Sequence, residues 1–367
     1  MKYIRKNLDI IIAALLATAV LLYAPFNLNY YVDCINIPLL IKLFCLMYVV
    51  AGMRQYGLLN RFWKSLLPKD VTTRKIGRFF IFICFFSSMF ITNDVALIIF
   101  VPLAIEVLSR VSLERHIIFV VVWQTIAANM GSMLTPMGNP QNLFIYEQYN
   151  LDLSEFLLIT APITVCCGIL IYLVTFCLPD SHITMPEVKY AHLSKRILLL
   201  LTSLFLMCIL CVLRIVSPQL LAITVIFFLN FLKGHLFLKV DFKLLVLFML
   251  LFIVVGGLAN IPQMQNWPRT ILENNVYLTT LGTCQIISKV PAAVMLSGFT
   301  ADYKNLLLGV SIGGLGTLIA SMASLISFKA YTKVQGANVI RYLCEFSLAN
   351  VLLLTVLSVM KYVIDAV

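Results

Sequence analysis

The chain has 367 residues, of which 61% are hydrophobic and 12% charged, and its formal net charge is +11. Ordinary soluble domains run at about 45–50% apolar and about 25% charged residues, so this composition excludes one and marks an integral membrane protein. The basic residues fall in short loops between apolar runs rather than on one face, which argues against nucleic acid and for the lipid bilayer as partner.

Residues 1–6 and the apolar run after them resemble a secretory signal, but no small-residue cleavage site follows Leu21-Leu-Tyr-Ala-Pro25, so a retained first span is expected. Apolar segments follow at about 37–53, 76–108, 116–146, 156–178, 197–213, 218–232, 244–261, 276–299, 306–328 and 341–362, after a first at about 8–26. Segments 76–108 and 276–299 are interrupted near 92–94 and 288–291, and 116–146 and 306–328 near 130–140 and 313–317. Reading 76–108 and 276–299 as re-entrant hairpins puts 21 of the 27 Lys and Arg residues on the cytoplasmic side. Four (Arg214, Arg269, Lys304, Lys361) then lie outside, and Lys42 and Lys289 fall within the membrane. Making either hairpin a full crossing would flip every later loop and destroy that asymmetry. The expected fold is thus an all-α polytopic protein of the plasma (inner) membrane with a cytoplasmic N-terminus. It has about nine full spans, two re-entrant hairpins and two broken helices.

Those elements read as inverted repeats of five. Residues 1–178 hold spans 1 and 2, hairpin 76–108, broken helix 116–146 and span 156–178; residues 218–367 repeat the order with hairpin 276–299 and broken helix 306–328; 179–217 link them with one span. Local matches occur in the same order in both halves. Thr92-Asn-Asp94 parallels Ser288-Lys-Val290, and Gly131-Ser-Met-Leu-Thr135 parallels Gly313-Gly-Leu-Gly-Thr317. Residues 57–78 and 328–341 read as amphipathic helices on the cytoplasmic surface. Of the ten cysteines, most sit in apolar segments without metal-site spacing and read as packing residues; the four histidines read as solvated loop residues.

The chemistry concentrates where polar residues interrupt these segments. In Asn129-Met-Gly-Ser-Met-Leu-Thr-Pro-Met-Gly-Asn-Pro-Gln-Asn142, Pro136 and Pro140 remove amide donors, while Gly131 and Gly138 weaken helix and permit unusual backbone angles. Asn139 before Pro140 reads as an N-cap and first helical residue, so a half-helix starts there with its amides facing the gap. Such interruptions are tolerated at membrane depth only when buried or lining a polar cavity, and they mark substrate and ion sites. Thr135, Asn139, Asn142, Thr317 and Ser321 supply neutral polar groups at the breaks, beside Gly131, Gly138, Gly313 and Gly316. At the first tip stand Thr92, Asn93 and Asp94, the last an intramembrane carboxylate that is a cation or proton ligand, a helix cap, or both. At the second stand Ser288, Lys289, Val290 and Pro291, with Pro291 marking a helix start. No phosphate loop, His-Glu-x-x-His or intramembrane Ser/His/Asp set is present, so no enzyme and no cofactor is expected, and movement of a solute would draw on an ion gradient.

Thr92-Asn-Asp-Val-Ala, Gly131-Ser-Met-Leu-Thr-Pro-Met-Gly-Asn-Pro-Gln-Asn-Leu and Ser288-Lys-Val-Pro-Ala-Ala resemble the hairpin and broken-helix motifs of the ion transporter superfamily. That group includes divalent anion/sodium symporters, citrate transporters, arsenite permeases and one class of sodium/proton antiporters. The resemblance implies an elevator mechanism, a homodimer, and a small anion or oxyanion, carboxylate or arsenite-like, moved with H⁺ or Na⁺. It also admits a sodium/proton antiporter with Asp94 as the titrating ligand. The symporters' Ser-Asn-Thr triplets, which bind sodium and substrate carboxylate, correspond here to Thr92-Asn93-Asp94 and Ser288-Lys289-Val290; neither is intact, and Thr-Asn-Asp is more like the arsenite permease branch. Sodium, if bound, is expected near Asn93, Asp94, Gly138 and Asn139. The Lys289 ammonium would repel sodium by roughly a few kcal/mol at 4 Å and can stand in for it. A permanent pair with Asp94, or a lysine reaching to the outer surface, are the other readings.

Overall fold

A computed structural model describes residues 8–23, 31, 34–57, 72–111, 113–182, 194–232, 237, 240–259, 272 and 274–366. Among these there are 15 α-helices and no named strand. Five helical stretches are long and apolar enough to cross a membrane: Ile37–Gln55, Glu114–Leu134, Leu153–Cys177, Lys195–Val212 and Val339–Ala366.

Helices α1 (Leu8–Tyr23), α2 (Ile37–Gln55), α8 (Lys195–Val212), α9 (Pro218–Leu232) and α10 (Phe242–Ala259) pack on one another as a first group. A second group holds α3 (Thr73–Ile91), α4 (Asn93–Arg110), α5 (Ile117–Gly131), α6 (Pro140–Gln148) and α7 (Leu153–Val174). With them pack α11 (Val276–Ile287), α12 (Lys289–Ser297), α13 (Tyr303–Ile312), α14 (Met322–Tyr331) and α15 (Val339–Ala366). Burial ranks these elements by depth. The Glu114–Leu134 stretch is 83% buried, against 28% for Leu153–Cys177 and 22% for Val339–Ala366. So α5 is the axis of the second group, while α7 and α15 turn Leu158, Val165, Ile169, Leu348, Leu352 and Val359 outward. Helices can do this in lipid because their backbone groups are paired internally.

Helices α3 and α4 form one antiparallel hairpin, and α11 and α12 a second. The two open at opposite ends of α7, whose 22 residues span about 33 Å. The start of α3 is tied to the end of α7, where the Thr73 amide donates to Ser181 O at 2.9 Å and Arg74 pairs with Asp180 at 3.1 Å. The end of α12 meets the other end of the molecule, where Tyr149 Oη donates to Ser297 O at 3.2 Å and Tyr303 Oη to Glu155 at 2.6 Å. The breaks fall where proline, glycine and asparagine forbid continuous helix, but the second is longer than the sequence suggests. Regular helix stops at Ile312 and resumes only at Met322.

Two surface expectations fare differently. Residues 58–71 of the first amphipathic segment lie outside the described residues, and its end, from Thr73, is the first leg of the hairpin. The segment 328–341 is not a surface helix: α14 runs on to Tyr331, and a turn at 332–338 leads into α15. Tyr331 explains this, because its ring stacks on Tyr342 at 4.8 Å and its hydroxyl accepts the Asn338 amide at 3.0 Å, pulling the segment onto the bundle.

The groups meet across α6. Phe144 packs on Phe252 at 5.8 Å, and Lys42 on α2 pairs with Glu147 on α6 at 2.8 Å with only 5% and 13% of the side chains exposed. Breaking a buried pair leaves an uncompensated charge, so Lys42→Met is expected to destabilise the protein by about 3 kcal/mol. Melting in detergent should show that loss, and Lys42→Met/Glu147→Gln should recover much of it.

Candidate functional site

One residue separates the helices of each hairpin, and both adopt the same rare backbone. Thr92 has φ 68° and ψ 148°, and Ser288 has φ 73° and ψ 155°. This region is nearly restricted to glycine, and a β-branched threonine there is strained by about 1–3 kcal/mol. Such a conformation persists only where surrounding bonds over-determine it. Thr135 Oγ1 donates to Met89 O, three residues before the first tip, and Thr317 Oγ1 donates to Gln285 O at 3.2 Å, three before the second. Ser288 Oγ and the Lys289 amide both donate to Ala320 O, at 3.2 and 3.0 Å.

The first break consists of two tight three-residue turns, Ser132–Leu134 and Pro136–Gly138. Its orphan carbonyls go to amide side chains of the following half-helix. Asn142 Nδ2 donates to Ser132 O, Met133 O and Thr135 O at 3.1, 3.2 and 3.1 Å. Asn139 caps α6 as its sequence suggests: its Oδ1 accepts the Asn142 amide at 2.9 Å, and Pro140 is the first helical residue. Gly131 and Gly138 do not take unusual backbone angles. They permit close approach, since a Cβ on Gly131 would lie 2.0 Å from Phe85 O and one on Gly138 2.1 Å from Ser132 O. At the second break Gln285 Nε2 donates to Gly313 O and Leu315 O at 2.9 and 3.0 Å, and its Oε1 accepts the Thr317 amide at 2.9 Å. Gly316 there has φ 102° and packs against the Gln285 amide.

Both halves meet at one atom. Asn129 Oδ1 accepts from Asn93 Nδ2 at 2.9 Å, Lys289 Nζ at 3.2 Å and Ser321 Oγ at 2.9 Å. Asn93 and Lys289 are the first residues of α4 and α12, and Ser321 is the N-cap of α14, so three helix N-termini converge. Asn129 is 1% exposed and Lys289 4%, and Asn129 Nδ2 has no hydrogen-bond partner among the described residues. Among the described residues no carboxylate lies within 4.0 Å of the Lys289 ammonium, so neither a close ion pair with Asp94 nor a reach to the surface describes it. Asp94 is half-buried in the first turn of α4, its amide donating to Asn93 Oδ1 at 2.9 Å, and it does not cap the helix. The junction therefore holds more buried donors than acceptors, plus a positive charge and three dipole ends of the same sign.

A family model described as a citrate transporter matches residues 3–323, most of the chain. The chain belongs to the citrate transporter family. This family member is 34% identical over 302 residues, 78% of its length and 79% of the relative's, to an uncharacterized transporter of Methanocaldococcus jannaschii. It is also 29% identical over 319 residues, 84% of its length and 83% of the relative's, to the inner membrane protein YbiR of Escherichia coli. The resemblance to the ion transporter superfamily is thereby shown, and this member's role is secondary transport across a membrane rather than catalysis.

The residues expected to form the site are gathered as three sets. Asn93, Lys289 and Ser321 join at Asn129; Thr92, Thr135, Ser288 and Thr317 hold the tips; Gly131, Gly138, Asn139, Asn142, Gly313 and Gly316 build the breaks. Val290 and Pro291 lie in the first turn of α12 and make no side-chain bond to the junction; the helix begins two residues before Pro291. Asn129 and Gln285 are the residues that motif reading passes over. A buried amide in an apolar helix is the signal each carried.

Proposed function

We propose that the chain is an ion-coupled permease for a small anion or oxyanion, of carboxylate or arsenite-like class, working by elevator-type alternating access as a homodimer. The observation that carries this is the junction at Asn129, where buried donors and an ammonium outnumber acceptors; water-excluded sites of that composition favour an anion. Support for inverted repeats, 1–178 and 218–367 about the linker 179–217, comes from matching details in the two halves. The tips share one backbone conformation, Thr135 and Thr317 tie them down alike, and Asn139 and Ser321 are both extended N-caps. In this reading the second helix group carries the solute past the first, with the N-terminus in the cytoplasm of a cell with an inner membrane.

Proteoliposome flux tests the function. Uptake of citrate, succinate, phosphate or arsenite, driven by a gradient of H⁺ or Na⁺, is the expected result. Cation-driven pH change with no solute effect would replace the permease with a sodium/proton antiporter on the same scaffold. Topology has its own check in a background lacking the exposed Cys177 and Cys344. Gln148→Cys and Asp302→Cys should react with an impermeant thiol reagent applied outside, and Glu114→Cys should not. Opposite labelling of Glu114→Cys and Gln148→Cys together would reverse the orientation; labelling of all three from one side would end the inverted-repeat reading.

A further inference from the structure

We propose that the Lys289 ammonium is a tethered cation that binds the anion's negative charge where the two hairpin tips meet, so that anion binding at this site requires no sodium. The inference rests on the anion reading above and goes further, because it assigns the counter-charge to the protein itself. An ammonium has three donor protons, and this one has Asn129 Oδ1 at 3.2 Å as its hydrogen-bond partner. That oxygen is already shared with Asn93 and Ser321. The backbone of Gly314 lies beside the lysine, where a Cβ would come within 3.5 Å of Nζ and 3.1 Å of Cδ, so this residue leaves the ammonium uncovered where any other side chain would press on it. Among the described residues the ammonium has no second hydrogen-bond acceptor, and Asn129 Nδ2 has none.

Sodium would need the opposite arrangement. It requires several convergent free oxygens, whereas Asn129 Oδ1 accepts three donors, Asn93 Oδ1 is taken by the Asp94 amide, and a fixed like charge sits beside them. A carboxylate or oxyanion meets every requirement, accepting from Lys289 and Asn129 Nδ2 at the positive ends of α4, α12 and α14. Asp94, half-buried on α4, and the Cys284 thiol on α11 are the titratable groups that face the lysine, and Asp94 is the internal competitor for it.

The test is binding of citrate, succinate and inorganic phosphate to the purified full chain in sodium-free buffer, read by calorimetry and by melting temperature. The wild type should bind at least one of them without sodium. Lys289→Met, which keeps the unbranched stem and removes the charge, should weaken that binding by roughly 30-fold or more, as loss of a buried charge partner does. Lys289→Arg should keep most of it, and Asp94→Asn should keep or strengthen it. Unchanged binding by a folded Lys289→Met protein, or a wild type that binds only with sodium, would overturn the proposal while leaving the anion permease intact. If the wild type neither binds nor transports any of the three, nor transports arsenite, the anion reading itself fails.

Discussion

An Asn129→Leu variant should lose several kcal/mol of stability and all measurable transport, whereas Asn129→Asp should melt at or above the wild-type temperature and still not transport. Leucine keeps the branched skeleton of asparagine with bulkier ends, and it removes the acceptor of three buried donors. Each orphaned neutral donor costs about 1–3 kcal/mol, and the charged lysine donor costs more. These costs share one site and do not simply add. Aspartate keeps the acceptor and brings the carboxylate that the ammonium lacks, so the fold gains an ion pair. The same carboxylate occupies the lysine permanently and excludes an incoming anion. Opposite signs for stability and transport in this one variant separate a binding junction from a packing contact. Parallel losses in both Asn129→Asp properties would mean that Asn129 holds the bundle together and nothing more. The measurements are melting in detergent and flux in proteoliposomes.

The second large effect is expected at Gly138, where alanine alone should suffice. An added Cβ would stand 2.1 Å from Ser132 O, 2.8 Å from Ser132 C and 2.9 Å from its Cα, all backbone atoms that cannot rotate away. The two turns must separate, and Ser132 O is the carbonyl that Asn139 Nδ2 and Asn142 Nδ2 both reach, at 3.3 and 3.1 Å. Overpacking costs about 1–3 kcal/mol and each weakened hydrogen bond about 0.5–1.5 kcal/mol. Displacement of the site by about 1 Å can cost roughly a hundredfold in rate. Gly138→Ala should thus insert, melt at lower temperature and transport at roughly a hundredth of the wild-type rate or less; Gly138→Val should be worse on both counts. Wild-type flux from an inserted Gly138→Val protein would remove this break from the transport site.

Much of the local architecture is legible in the chain. The Asn139-Pro140 cap follows from cap and proline chemistry, which act over three residues and need no tertiary partner. The hairpin tips fall at Thr92 and Ser288 because polar residues interrupt apolar runs there. What those residues do at the same sites is less legible. Gly131 and Gly138 are needed for the approach of Phe85 O and Ser132 O, a contact with chain that is folded back against them, and not for an angle of their own. The helix expected over 328–341 fails for the same kind of reason, since Tyr331 and Tyr342 stack and turn the chain into the bundle.

Composition, apolar period and loop charge determined by themselves that this is an all-α membrane protein and where its helices break, because a backbone group in lipid must be paired within its own segment or sit in a polar break. Tertiary structure alone decided which polar groups share a site. Asn129 meets Asn93 across 36 positions, Lys289 across 160 and Ser321 across 192. Hydrogen bonds of that kind depend on two hairpins from opposite ends reaching one helix, and side chains that are unremarkable in their own segments become a charged junction only once packing has excluded water around them.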